Sequence, residues 1–254
     1  MVIVAAILAL QVAASQDAAL ALAAGDITAR REALAGISAT SPADRSDQMW
    51  RALRQEVDRL MVCLDVHPPS AAESELLRCD IRPTSEDNYL PDLIAALGQS
   101  SDPLMIPTLI RVAPSGGMAA AALARFGDVA VPALIESALG SRSGPWGDES
   151  SGAMFTLARM LEQPAPDSGR PLSSRSRRQI NDAARTVFQS KLTWVNQIGI
   201  VMLALATADA DLRSRVETLA TDRSEWRRMG VTDEARIIQV QNSIRAQLVR
   251  HPKK

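Results

Sequence analysis

Histidine and cysteine are the side chains best suited to nucleophilic or metal chemistry, and this chain has only two of each, His67, His251, Cys63 and Cys79. His67 stands beside Pro68-Pro69 and His251 lies in the tail, so a Ser-His-Asp or Cys-His arrangement has little to draw upon. There is no CxxC, no HExxH and no acidic loop of calcium-binding spacing, so neither a metal nor a cofactor is expected. Gly140-Ser141-Arg142-Ser143-Gly144 resembles a nucleophile elbow only superficially. Neither serine is central and no strand precedes it, so a flexible loop is expected. Asp102 and Asp128 could form an acid/base pair. Each also stands just before an expected helix start, where a carboxylate accepts backbone N–H bonds, and N-capping is the simpler role. The residues therefore predict a protein that is not an enzyme.

Binding chemistry has more material. Two polar insertions, Ser141 to Gly152 and Gln163 to Arg178, flank a helical stretch. The second ends with Arg175, Arg177 and Arg178, which either meet phosphate or carboxylate groups on a partner or sit in a solvated loop. Trp146, in a Gly/Pro/Ser/Asp loop, either folds back onto the helices or anchors a partner. With 28 basic against 29 acidic residues, the chain lacks the broad positive field of a nucleic-acid binder, so a protein partner is expected.

Met1 to Ala14 contain no charge, and the run VIVAAILAL followed by Val12, Ala13 and Ala14 fits a secretory signal over 1–15. It lacks a basic start, which leaves an apolar first helix as the alternative. No later segment is long and uncharged enough to span a bilayer. Export would place the protein in the periplasm or cell envelope. There Cys63 and Cys79, on either side of His67-Pro68-Pro69, could close a disulfide contributing about 3 kcal/mol; two buried thiols are the alternative.

The elements that position these residues read as helices throughout, with no β-sheet. Met49/Trp50, Leu53, Val57, Leu60/Met61 and Leu64 mark a long amphipathic helix ending near Asp65, with Pro42 and Asp44 placed to start it. A polar, Pro-containing stretch from Val66 to Asn88 separates an N-terminal helical region (16–84) from a more regular one (85–254). In the latter an apolar-Pro-x-Leu-Ile pattern recurs at Leu90 to Ile94, Ile106 to Ile110 and Val131 to Ile135. Proline near a first helical turn loses little, and Gly98 and Gly127 stand where helices should close. Further helical periods follow: Met154, Leu157, Ala158 and Leu161; Ile180 to Phe188; the apolar Trp194 to Ala206; Leu212, Val216 and Leu219; and Ile237, Val240, Ile244 and Leu248.

The run from Met118 to Ile135, an alanine-rich helix followed by Phe-Gly-Asp-x-x-Val-Pro-Ala-Leu-Ile, resembles bacterial HEAT-like repeats over roughly Leu90 to Leu139. Two features depart from that pattern. The second and third copies lie 25 residues apart, shorter than the usual repeat, and later segments lose the motif while keeping the helical period. The resemblance implies an all-α, right-handed superhelical stack of antiparallel helical hairpins, an α-solenoid. It also implies a non-enzymatic protein-binding scaffold or adaptor. Because some HEAT-like proteins resemble phycobilin lyase subunits and others are DNA glycosylases, an enzyme of those types stays open, as does a purely structural subunit.

Overall fold

The computed structural model describes residues 16–23, 25–67, 72, 76–79, 89–115, 117–140, 142–144, 147–162, 172–190, 192 and 197–252. The protein is all-helical. β pairing among the described residues is confined to a ladder of two residues per strand, Ser143–Gly144 with Gly147–Asp148. No single described helix is long and apolar enough to cross a membrane. The expected signal at 1–15 lies outside the described residues.

Two compact units divide the contacts, Met1–Val112 with Gly144–Trp146, and Ala113–Ser143 with Gly147–Lys254. In unit 1, α1 covers residues 16–23, α2 Ile27–Ala39, α3 Asp47–Val66, α4 Tyr89–Leu97 and α5 Ile106–Val112. Helix α3 begins later than its sequence suggests. Pro42–Asp44 forms a separate 3-10 turn, and Ser46 caps α3 by accepting from the Met49 N–H. The apolar stripe of α3 buries Leu53, Val57, Leu60, Met61 and Leu64 under α4 and α5. Helix α4 packs on both α2 and α3 and belongs with them in unit 1.

In unit 2, α6 covers Gly117–Arg125, α7 Val131–Leu139, α8 Glu149–Glu162, α9 Ser174–Ser190, α10 Gln197–Ala206, α11 Ala210–Thr221, α12 Arg223–Arg228 and α13 Glu234–Arg250. The chain turns by 107° between Gly117–Arg125 and Gly127–Leu139, nearer a right angle than an antiparallel hairpin. Gly127 makes that corner with φ of 54°, a left-handed conformation that suits a residue without Cβ. Helix α8 is the centre, packing on α6, α7 and α10. It can do so because its contact face is small. A Cβ on Gly152 would lie 2.8 Å from the Pro114 nitrogen, and one on Gly199 of α10 would lie 3.4 Å from the Ser151 carbonyl oxygen.

All three recurrent prolines fall in first turns, Pro91 in α4, Pro107 in α5 and Pro132 in α7. Asp102 caps as expected, accepting from the Leu104 N–H at 2.9 Å. Asp128 does not cap α7: Ala130 occupies that place without a side-chain bond, while Asp128 accepts from the backbone of Ser173, 45 residues on. That bond to Ser173, with smaller help from the Ser176 and Ser173 hydroxyls, holds the carboxyl of Asp128 below its ordinary pKa.

Candidate functional site

A hollow in unit 2 lies where three helices end and one begins. The last turns of α8, α10 and α13 bring Leu161, Glu162, Leu205, Ala206, Arg250 and His251 to it, and the first turns of α11 bring Ala210, Arg213, Ser214 and Glu217. Its volume of about 740 Å³ lies within the ~300–1,000 Å³ range of ligand pockets.

A sharp link between α10 and α11 shapes one wall. Ala208 sits there with φ of 58°, a left-handed conformation costly for a residue with a Cβ. The link is held on both sides: the Thr207 hydroxyl donates to the Ala204 carbonyl at 2.7 Å, and Asp209 accepts from the Asp211 and Leu212 N–H groups at 2.9 and 3.1 Å. The other oxygen of Asp209 meets the guanidinium of Arg185 on α9 at 2.7 Å. The Leu212 N–H bond first, and then the Arg185 and Asp211 bonds, depress the pKa of Asp209 despite partial burial.

Most polar groups on the wall engage one another. His251 Nδ1 meets Glu162 at 3.2 Å, and Arg213 donates through Nη1 to the His251 carbonyl at 2.7 Å and through Nε to Glu217 at 3.1 Å. A histidine beside a carboxylate can move a proton, and Ser214 shares the hollow, but the Ser214 hydroxyl and His251 form no hydrogen bond with each other. As built, these contacts fasten the end of α13 to α8 and α11.

Unit 1 buries two charged side chains, Glu56 and Arg45. Glu56 is 2% exposed, and its carboxylate accepts from Arg59 Nε and Nη2 at 2.7 and 2.8 Å and from the Tyr89 hydroxyl at 2.7 Å. Arg31 lies over the Tyr89 ring at 5.4 Å. Burial, then the bond to Glu56, pushes the Tyr89 phenol well above its usual range. Arg45, also buried, donates from Nε to the Ile37 and Thr40 carbonyls, from Nη1 to Ala96 and from Nη2 to Ser38 and Gln99. Its guanidinium stacks on Trp50 at 5.0 Å, and burial lowers its pKa. Glu56 was visible in the sequence as the polar residue three past Leu53 and four before Leu60, on the apolar stripe of α3.

Cys63 and Cys79 are joined in a disulfide, with Cα atoms 5.6 Å apart, between the end of α3 and the 3-10 turn Leu77–Cys79. Arg175 and Arg178 stand exposed on the opening turns of α9, and Arg177 is half-buried. No acidic residue accompanies them in the first turn. Trp146 lies outside the described residues. Among the described residues, no three His, Cys, Asp or Glu side chains are grouped to hold a metal ion. No protein-family model, no curated protein and no solved structure matches the chain.

Proposed function

We propose that the chain is a non-enzymatic protein-binding scaffold or adaptor of the cell envelope, built as a HEAT-like α-solenoid. The observation that carries this reading is the packing of next-but-one helices in unit 2. Helix α6 packs on α8 and α8 on α10, while α7 packs on α9 and α11 on α13. Stacked pairs of this kind, here with α10 also packing on α13, support the reading because solenoids use such stacking to present an extended face to a partner. The disulfide supports an oxidising compartment, where such bridges persist. Arg175 and Arg178 supply directed donors on an exposed helix start, the kind of group enriched where truncation weakens a protein interface.

The test is cross-linking and affinity capture of tagged chain in its native cell, with excess untagged chain as competitor. A protein partner displaced by the competitor, and bound less well by the Arg175→Ala/Arg177→Ala/Arg178→Ala variant of unchanged helicity and melting, is the expected result. Absence of any competed partner would overturn the scaffold reading. A competed partner bound equally by the variant would retain the scaffold but move its contact surface elsewhere.

A further inference from the structure

The hollow at the ends of α8, α10 and α13 keeps its acceptors occupied and leaves donors to spare. Glu162 meets His251, and Glu217 accepts from Arg213 Nε. The carbonyls at the helix ends are engaged too. The His251 carbonyl accepts from Arg213 Nη1, and at the end of α10 the Leu203, Ala204 and Leu205 carbonyls accept from the Thr207 N–H, the Thr207 hydroxyl and the Ala208 N–H. Against this, Arg213 Nη2, the Ser214 hydroxyl and the whole guanidinium of Arg250 line the hollow with no partner among the described residues.

We infer that the hollow binds a medium-chain aliphatic carboxylate, its head held by Arg250, Arg213 and Ser214 and its chain laid along Leu161, Leu205 and Pro252. The charge of the head follows from what is left unmatched. Arg213 is already balanced by Glu217, so the unmatched guanidinium of Arg250 suits a monoanion, and its planar fork suits a carboxylate. A dianionic phosphate would meet Glu162 and Glu217 with too little positive charge to offset them.

The nature of the tail follows from the wall. Leucine, alanine and proline side chains line it and no Phe, Tyr or Trp among the described residues does, so a flexible chain is accommodated where a flat ring would find nothing to stack on. A volume of about 740 Å³ is far more than a head group alone would fill. Ala208, held in its left-handed conformation on the same wall, is the kind of strained residue that collects at ligand sites. This site needs no protein partner and is independent of the scaffold reading.

Equilibrium dialysis of the full chain against octanoate, octylamine, 1-octanol and acetate separates the head from the tail. Octanoate should bind saturably at one site, with a dissociation constant on the order of 100 μM, and at least about ten-fold more tightly than the other three. Arg250→Gln removes no contact of the folded chain and should weaken octanoate about ten-fold with unchanged melting. Ala210→Trp, at an exposed position on the wall, should block the hollow. Octylamine binding as tightly as octanoate, no saturable octanoate binding, or parent-like affinity in either folded variant would each overturn the assignment.

Discussion

Unit 1 buries charge between its helices, whereas unit 2 brings helices together at its centre through the lack of a side chain and keeps its ion pairs near helix ends. Arg45 and the Glu56–Arg59–Tyr89 group sit among apolar residues of α2 to α4, each buried polar atom matched to a partner. At the centre of unit 2, Gly152 and Gly199 let backbone approach backbone. The two solutions fail differently. A buried ion pair contributes little net stability while intact, yet loses a great deal when one partner is removed. A close-packed helix contact is sensitive to added volume, because the neighbouring backbone cannot move aside cheaply.

The largest expected effect is in unit 1. Glu56→Ala removes the acceptor of one Tyr89 and two Arg59 hydrogen bonds and should cost about 3 kcal/mol, read as a fall in the denaturation midpoint. Part of the cost is relieved because the Arg59 side chain is 32% exposed and can turn to water. If Glu56→Ala melted like the parent, the charged group would not be holding unit 1.

A smaller effect of the opposite kind is expected in unit 2, where Gly152→Ala drives a methyl into Pro114. Overpacking of about 1–3 kcal/mol should outweigh the roughly 1 kcal/mol that alanine gains over glycine in a helix. Gly36→Ala in α2 is the matched control, since a Cβ there meets nothing within 4 Å, and it should stabilise by up to about 1 kcal/mol. Equal melting shifts for the two glycine variants would remove the contrast between the units.

The smallest effect concerns Asp209. Asp209→Ala should cost about 1 kcal/mol through the lost cap, whereas Asp209→Asn keeps a capping oxygen and loses the charge opposite Arg185. Because the folded pKa of Asp209 is depressed, the unfolded chain binds the proton first. Its contribution is therefore present above the ordinary carboxylate range and lost as pH falls through it toward the folded value. Asp209→Asn should flatten the decline in stability below about pH 4, as measured by urea titrations across pH. An unaltered acid slope would show that this carboxylate does not contribute to it.

Local chemistry was legible in the sequence. Asp102-Pro103, Gly98 and the three first-turn prolines act within a few residues of themselves, and the apolar periods named Leu53, Leu134, Met154 and Val216, all buried. Apart from the Cys63–Cys79 bridge, what escaped was the bonding between distant segments. Asp128 stands the right distance ahead of α7 to cap it, yet a 3-10 turn at Gly127–Val129 diverts it to Ser173. Periodicity cannot supply the tertiary partner of a polar side chain, and no local pattern marks Arg45 as buried. The hollow escaped for the same reason: its walls come from residues near 162, 206, 213 and 251, and only packing brings His251 to Glu162.

Arg45 also bears on the order in which unit 1 assembles. Its nearer partners, the carbonyls of Thr40 and Ile37, lie 5 and 8 residues away, whereas Ala96 and Gln99 lie 51 and 54 residues away. Before α4 docks, the guanidinium can keep water on the side that α4 will occupy. Afterwards it must surrender that water and take the last turn of α4 in exchange. Closing so long a loop is the entropically slow event, so α2 and α3 can meet reversibly many times before α4 arrives. The docking of α4 is sealed by one cation between two helix ends.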